Sequence, residues 1–198
     1  MKESEKSLKR RSTKKNRTLF KGYGIDIGAG NAGLNKIGGF NCYEWDTKDG
    51  DAQLMAGVPD TSYAWVHASH CLEHMIDPFA ALTNWVRILK PSGHLVITVP
   101  DWEMYEREVW PSQFNPDHKW CFTAHTDVAP CDKLIHVNSI IETLAPTMRL
   151  KSIIVVDDDF NPELATSIDQ TVNPYNAECA IELIFRKYTR NYSYTQNI

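Results

Sequence analysis

Three glycines at the spacing G-x-G-x-x-G, Gly28, Gly30 and Gly33, follow a short apolar run from Tyr23 to Ile27 that carries one acid, Asp26. The order predicts a strand, a tight turn and a helix. Glycine lets backbone approach a ligand closely, and the free N–H groups at the start of the following helix face a polar or anionic group. The implied chemistry is the holding of a cofactor. An ordinary glycine-rich β–α turn shares the spacing, so the neighbouring residues must decide. A carboxylate two positions before Gly28 would repel the pyrophosphate of a dinucleotide, whereas a cofactor with a cationic end gains from it.

A second acid, Asp46, follows Asp26 by 20 positions and closes a strand expected over Asn41 to Asp46. A carboxylate at a strand tip can accept both hydroxyls of a ribose, with Glu44 as the alternative if the strand ends earlier. Taken together, D-x-G-x-G after a strand resembles the first motif of class I S-adenosylmethionine-dependent methyltransferases. The resemblance implies that the turn lies under the methionine portion of the cofactor, with Asp26 organising that end. Gly50-Asp51-Ala52-Gln53 resembles the family's segment whose acid meets the adenine amino group. It arrives without the helix and strand that usually precede it, so a sheet short by one edge strand is expected.

Residues 69–78, S-H-C-L-E-H-M-I-D-P, then a helix, an L-K-P-S-G turn and an apolar strand closely resemble the type 11 subgroup of that family over about 30 positions. The turn at Ser69 then borders the cofactor. The same stretch, His70-Cys71-Leu72-Glu73-His74, fits H-x-x-E-H, in which two histidines one helical turn apart bind zinc. That pattern needs a continuous helix, and His70 stands at a strand end, so no metal is expected. A capping role for Glu73 and His74 is the alternative. Asp117, His118, His125 and Asp127 are further metal-ligating types, but at no recognised spacing.

Strands are expected at 23–27, 41–46, 63–69, 94–100, 149–156 and 178–187. Short helical stretches are expected at 31–37, at 79–89 through the spacing of Phe79, Leu82, Val86 and Leu89, and from an Asp132 cap to Leu144. The fold expected is α/β, a Rossmann-like doubly wound, mostly parallel sheet of six strands with an antiparallel last strand. Its region between the second and third strands is reduced. Residues 101–130, rich in Trp, Tyr and Phe, follow a strand's C-terminal end, where such folds place binding loops. They are expected to form a lid and acceptor site as an insertion in a 21–190 domain, although the aromatics would equally fill a satellite core.

The 198 residues carry a net charge of −4, unevenly spread: residues 1–21 hold nine Lys or Arg against Glu3 and Glu5. Residues 1–20 are therefore expected to be a disordered basic tail. A nucleic-acid arm is one reading of it and a solvated leader the other, the acidic body opposing the first. Five scattered cysteines suggest neither a disulfide framework nor a zinc ribbon, and no apolar run reaches membrane-spanning length. A cytoplasmic location is expected.

The resemblance implies methyl transfer from S-adenosylmethionine to an acceptor that is a small molecule, a saccharide, a protein or RNA. Such catalysis is mainly positioning, with a base needed if the acceptor must lose a proton; Asp101 and His118 are the candidates. S-H-C-L, not an N-P-P-Y-like sequence, at residues 69–72 argues against exocyclic base amines as acceptors. A cofactor-binding subunit without activity and, less so, an NAD-dependent oxidoreductase are the rival readings.

Overall fold

The computed structural model describes residues 6, 9, 10 and 17–189. The glycine turn leaves β1 (Gly24–Ile27), a four-residue strand buried along its whole length. Parallel neighbours lie on both sides: β2 (Cys42–Trp45) and β3 (Tyr63–Ser69), with β4 (Leu89–Pro100) beyond β3. β7 (Met148–Val156) and β8 (Ala180–Lys187) complete a six-stranded sheet in the order β2-β1-β3-β4-β8-β7, in which β8 runs antiparallel to both its neighbours. Strand number and direction match the sequence expectation. β2 is an edge strand because no helix and strand separate it from β3.

The segment replacing that unit is a 3-10 turn at Thr47–Asp49 followed by turns through Gly57. It is held by α2 (Pro78–Ile88), the helix that follows β3, while α1 (Leu34–Gly38) follows the glycine turn. Asn84 donates to the carbonyl of Gln53, Trp85 Nε1 to Ala52 and Arg87 to Met55 and Val58. One helix thereby fixes the backbone of Asp51-Ala52. α2 forms because Asp77 accepts from the N–H groups of Phe79 and Ala80 while Pro78 supplies a first turn that needs no donor. Its inner face buries Ala81, Leu82, Trp85 and Ile88 completely, about 1.5–3 kcal/mol for a side chain of Leu82's size.

One local expectation is corrected, and one is kept in a modified form. The helix expected from Asp132 begins only at α3 (Val137–Leu144), capped by His136, whose Nδ1 accepts from the N–H of Asn138. Residues 134–136 instead form β6 (Leu134–His136), paired parallel with β5 (Cys121–Thr123), because Ile135 is drawn into the core. The turn at Lys90–Gly93 is looped out of β4, where the register with β3 jumps from Tyr63↔Leu89 to Trp65↔His94.

The basic tail lies mostly outside the described residues. Those described do not stand apart from the domain: Phe20 belongs to a buried cluster with Phe40 and Trp65. Lys6 is 2% exposed, its Nζ donating to the carbonyls of Thr171 at 3.0 Å and Ala177 at 2.6 Å. Arg10 pairs with Glu178 and lies 3.6 Å from Glu182. Backbone carbonyls thus hold the first of these cations and acidic side chains the second. Among the described residues no helix is long and apolar enough to cross a membrane.

Candidate functional site

The turn after β1 is built on Gly28, at φ +74°, where a Cβ would also sit 2.9 Å from Cβ and Sγ of Cys71. Left-handed backbone and missing space both demand glycine there. The N–H groups of Gly28 and Ala29 donate to the Trp45 carbonyl at 2.9 and 3.2 Å, folding the turn over the end of β2. Asp26 is 4% exposed and uses both oxygens within the fold. Oδ2 accepts from the N–H of Leu34, the first residue of α1, and Oδ1 lies 2.6 Å from Nδ1 of His67 on β3. Glu44 Oε1 likewise accepts from the N–H of Lys36 at 2.7 Å. Glu44, the alternative ribose acid, is therefore engaged by α1.

A cavity of about 580 Å³ opens beside this turn, lined by Gly28, Asp46, Asp51, Ala52, His70 and His74 among others. Its size falls in the range of cofactor sites. Gly28 also lines an adjoining space of about 30 Å³ with Asp26, His67 and Ser69. The two spaces together bring in Asp26, Gly28, Asp46, Asp51, Ala52 and Ser69; Gly30, at φ +55°, lines neither. Asp46 caps the 3-10 turn, Oδ1 accepting from Thr47 N–H, while its own N–H donates to Asp49 Oδ2 at 2.9 Å. That bond, with the Tyr43 hydroxyl, holds the Asp49 carboxyl below its ordinary range. Asp51 Oδ1 accepts from the N–H of Gln53 at 2.7 Å, so this acid also shapes its own loop.

The candidate bases are not part of the cavity lining. Asp101 is fully buried and accepts through Oδ1 from the N–H groups of Glu103 and Met104, and burial pushes its carboxyl up. His118 is 8% exposed, its Nδ1 2.7 Å from Glu106 Oε1 and its ring centroid 5.0 Å from that of His74. Neither residue lines the two spaces, and the imidazoles that do so on the large one are His70 and His74. The 101–130 segment meets the loop after β3 through Lys119, whose N–H donates to Glu73 O, and Trp120, whose Nε1 donates to Met75 O. Its Trp102 and Phe122 are core residues, so only part of the aromatic set is free to form a wall. The sequence offers His74 as a zinc-ligand type in H-x-x-E-H or as a cap, not as a residue of the large cavity, and it gives no sign of Glu106. The H-x-x-E-H spacing was the available signal for the first; the second had none, because its partner lies 12 positions away in an irregular segment.

Residues 11–126 match the family model described as a methyltransferase domain. No curated relative matches the sequence. Solved structures align over nearly the whole chain. A putative S-adenosylmethionine-dependent methyltransferase from Listeria monocytogenes covers 93% of this chain and 96% of its own, at TM-score 0.54 and 13% identity. The Haloferax volcanii complex between the Trm112 methyltransferase activator and the putative methyltransferase covers 95% and 89%, at TM-score 0.54 and 14% identity. A protein from a study of disulfide-to-thioacetal conversion in echinomycin biosynthesis covers 93% and 82%, at TM-score 0.63 and 14% identity. At such identities these structures establish the fold. The family match, spanning more than half of a chain with this sheet order and glycine turn, establishes the rest: the chain belongs to the methyltransferase domain family, and it transfers a methyl group from S-adenosylmethionine to an acceptor.

Proposed function

We propose that the large cavity and its annex form the methyl-donor site, with an acceptor held against the 101–130 segment. The observation that carries this is the convergence of Gly28, Asp46, Asp51 and Ala52 on one cavity. They arrive from the ends of two strands and from a loop held by α2. Asp46 would accept the ribose hydroxyls and Asp51-Ala52 border the adenine. The annex under Gly28, with Asp26 and Ser69, would receive the cationic amino-acid end. Asp26 would act there chiefly by holding the turn, since both its oxygens are engaged.

Catalysis in this reading is the alignment of an acceptor atom with the sulfonium methyl group in a site shielded from water. His118, held by Glu106 and packed on His74, would be a positioning residue that sets the orientation of the cavity-facing imidazole. Asp101 would act through the backbone turn it caps. The domain is proposed to span 21–190 with the 101–130 segment as its insertion. The tail is proposed to serve the body through Lys6 and Arg10, which supports a structural role over a nucleic-acid arm. Five free cysteines support a cytoplasmic setting.

Methyl-labelled donor incubated with fractionated cell extract tests the assignment. The native chain is expected to label a product, and Asp46→Ala to lose most labelling at limiting donor. Equal labelling by the variant would put the donor elsewhere.

A further inference from the structure

Glu73 is fully buried, and neither of its carboxylate oxygens has a hydrogen-bond partner. An interior carboxylate needs compensation by donors or by a cation. Three imidazole nitrogens surround Oε1: His70 Nδ1 at 3.7 Å, His74 Nε2 at 3.9 Å and His118 Nε2 at 3.9 Å. None is within hydrogen-bond reach.

The other nitrogens of two of these rings decide what faces Glu73. His118 Nδ1 lies 2.7 Å from Glu106 Oε1, and His74 Nδ1 lies 3.2 Å from the Asp117 carbonyl oxygen. A carbonyl or carboxylate oxygen only accepts, so each Nδ1 carries the proton, and in the neutral ring each Nε2 is left with a lone pair. With both rings neutral, two imidazole lone pairs and a carboxylate oxygen thus come within 4.8 Å of one another.

We propose that Glu73, His74 and His118 form a binding site for a divalent transition-metal ion, zinc by its donor set. Two neutral imidazoles and one carboxylate make a three-ligand zinc site with an open fourth position, whereas magnesium and calcium select oxygen ligands. Each histidine's Nδ1 is oriented by an acceptor, one a carboxylate, as in metal-bound histidines. The two carboxylate–imidazole separations of 3.9 Å exceed by about 0.5 Å the roughly 3.4 Å edge of a tetrahedron with zinc–nitrogen bonds near 2.1 Å, and all three ligand atoms lie within 4.8 Å of one another, so the side chains would draw together on binding. A shared proton fits worse, because it needs the heavy atoms within about 3.2 Å.

His74 gives the site its place in the molecule. It lines the large cavity as well as this cluster, so the open position adjoins the proposed donor site and suits a water or an oxygen or nitrogen of the acceptor. The ion would also clamp the 101–130 segment, through His118, to the loop after β3. H-x-x-E-H contributes only its last two residues, since Leu72–His74 is a 3-10 turn and no helix carries both histidines.

The test is cobalt(II) and zinc(II) binding to the full, metal-stripped chain, read by metal content, calorimetry and the cobalt ligand-field spectrum. One ion per chain is expected, with a four-coordinate cobalt spectrum. His74→Ala, on the partly exposed ligand and so the variant least prone to unfold, should weaken binding at least 100-fold, as should Glu73→Gln. Glu106→Gln, which touches no metal, should weaken it roughly 10- to 100-fold. A folded chain that takes up no stoichiometric metal, or binding unchanged in His74→Ala, overturns the proposal. Binding of S-adenosylhomocysteine is measured in parallel: donor without metal defeats this inference alone, and metal without donor defeats the donor-site reading alone.

Discussion

Asp26 on β1 and His67 on β3 meet Oδ1 to Nδ1 at 2.6 Å, both almost wholly buried, while the second oxygen of Asp26 caps α1. One carboxylate therefore joins two strands and the helix that together frame the glycine turn.

Removing it should damage the fold first. Asp26→Ala is expected to cost about 3–5 kcal/mol of unfolding free energy, the range for breaking one partner of a buried pair. Urea denaturation followed by circular dichroism measures it. A loss under 1 kcal/mol would mean that the carboxylate serves the ligand rather than the scaffold.

Asp46 should behave in the opposite way. Its side-chain bonds are local, within the capping box of the 3-10 turn that joins it to Thr47 and Asp49, so Asp46→Ala should leave the melting temperature within a few degrees of native. Affinity for S-adenosylhomocysteine should fall by roughly 1.5–3 kcal/mol, the range for hydrogen bonds to a charged group. An unchanged dissociation constant would remove Asp46 from the ribose.

The positions of the six main strands and the glycine turn were legible because they rest on short-range signals: Gly28 answers to a local φ, and the start of α2 lies at Asp77-Pro78. What escaped depends on contacts between distant segments. Glu73 and His118 are 45 positions apart and meet only because Lys119 and Trp120 bond the loop after β3. Asp132 looked like a cap by type, yet pairing of Leu134–His136 with β5 delays the helix by one strand. Lys6 sits in a run whose charge predicts solvation, and the carbonyls that desolvate it belong to residues 171 and 177.

The tail should matter for stability. Lys6 donates to two buried carbonyls and Arg10 pairs with Glu178, so deleting residues 1–16 should lower the melting temperature by several degrees. Hydrogen bonds to a charged group contribute about 1.5–3 kcal/mol, and about 2–4 °C corresponds to each kcal/mol at this chain length. Scanning calorimetry of the two chains checks it; identical curves would return the tail to solvent.

Burial raises the carboxyl of Asp101 above its ordinary value. Its folded state thus holds the proton more tightly than its unfolded state, so its stabilising contribution is full below the ordinary carboxylate range and is lost as pH rises through the folded value. Asp101→Asn cannot titrate. The native chain should lose stability relative to this variant as pH rises from about 4 toward 7, and denaturation at several pH values reads the difference. A difference independent of pH would contradict burial as the dominant influence on Asp101.

The most direct measurement is isothermal calorimetry of the full chain with S-adenosylhomocysteine and with NAD, for native protein and Asp46→Ala. The account predicts one site for S-adenosylhomocysteine, weakened by the substitution, and no heat with NAD. Tight NAD binding without a response to S-adenosylhomocysteine would contradict it.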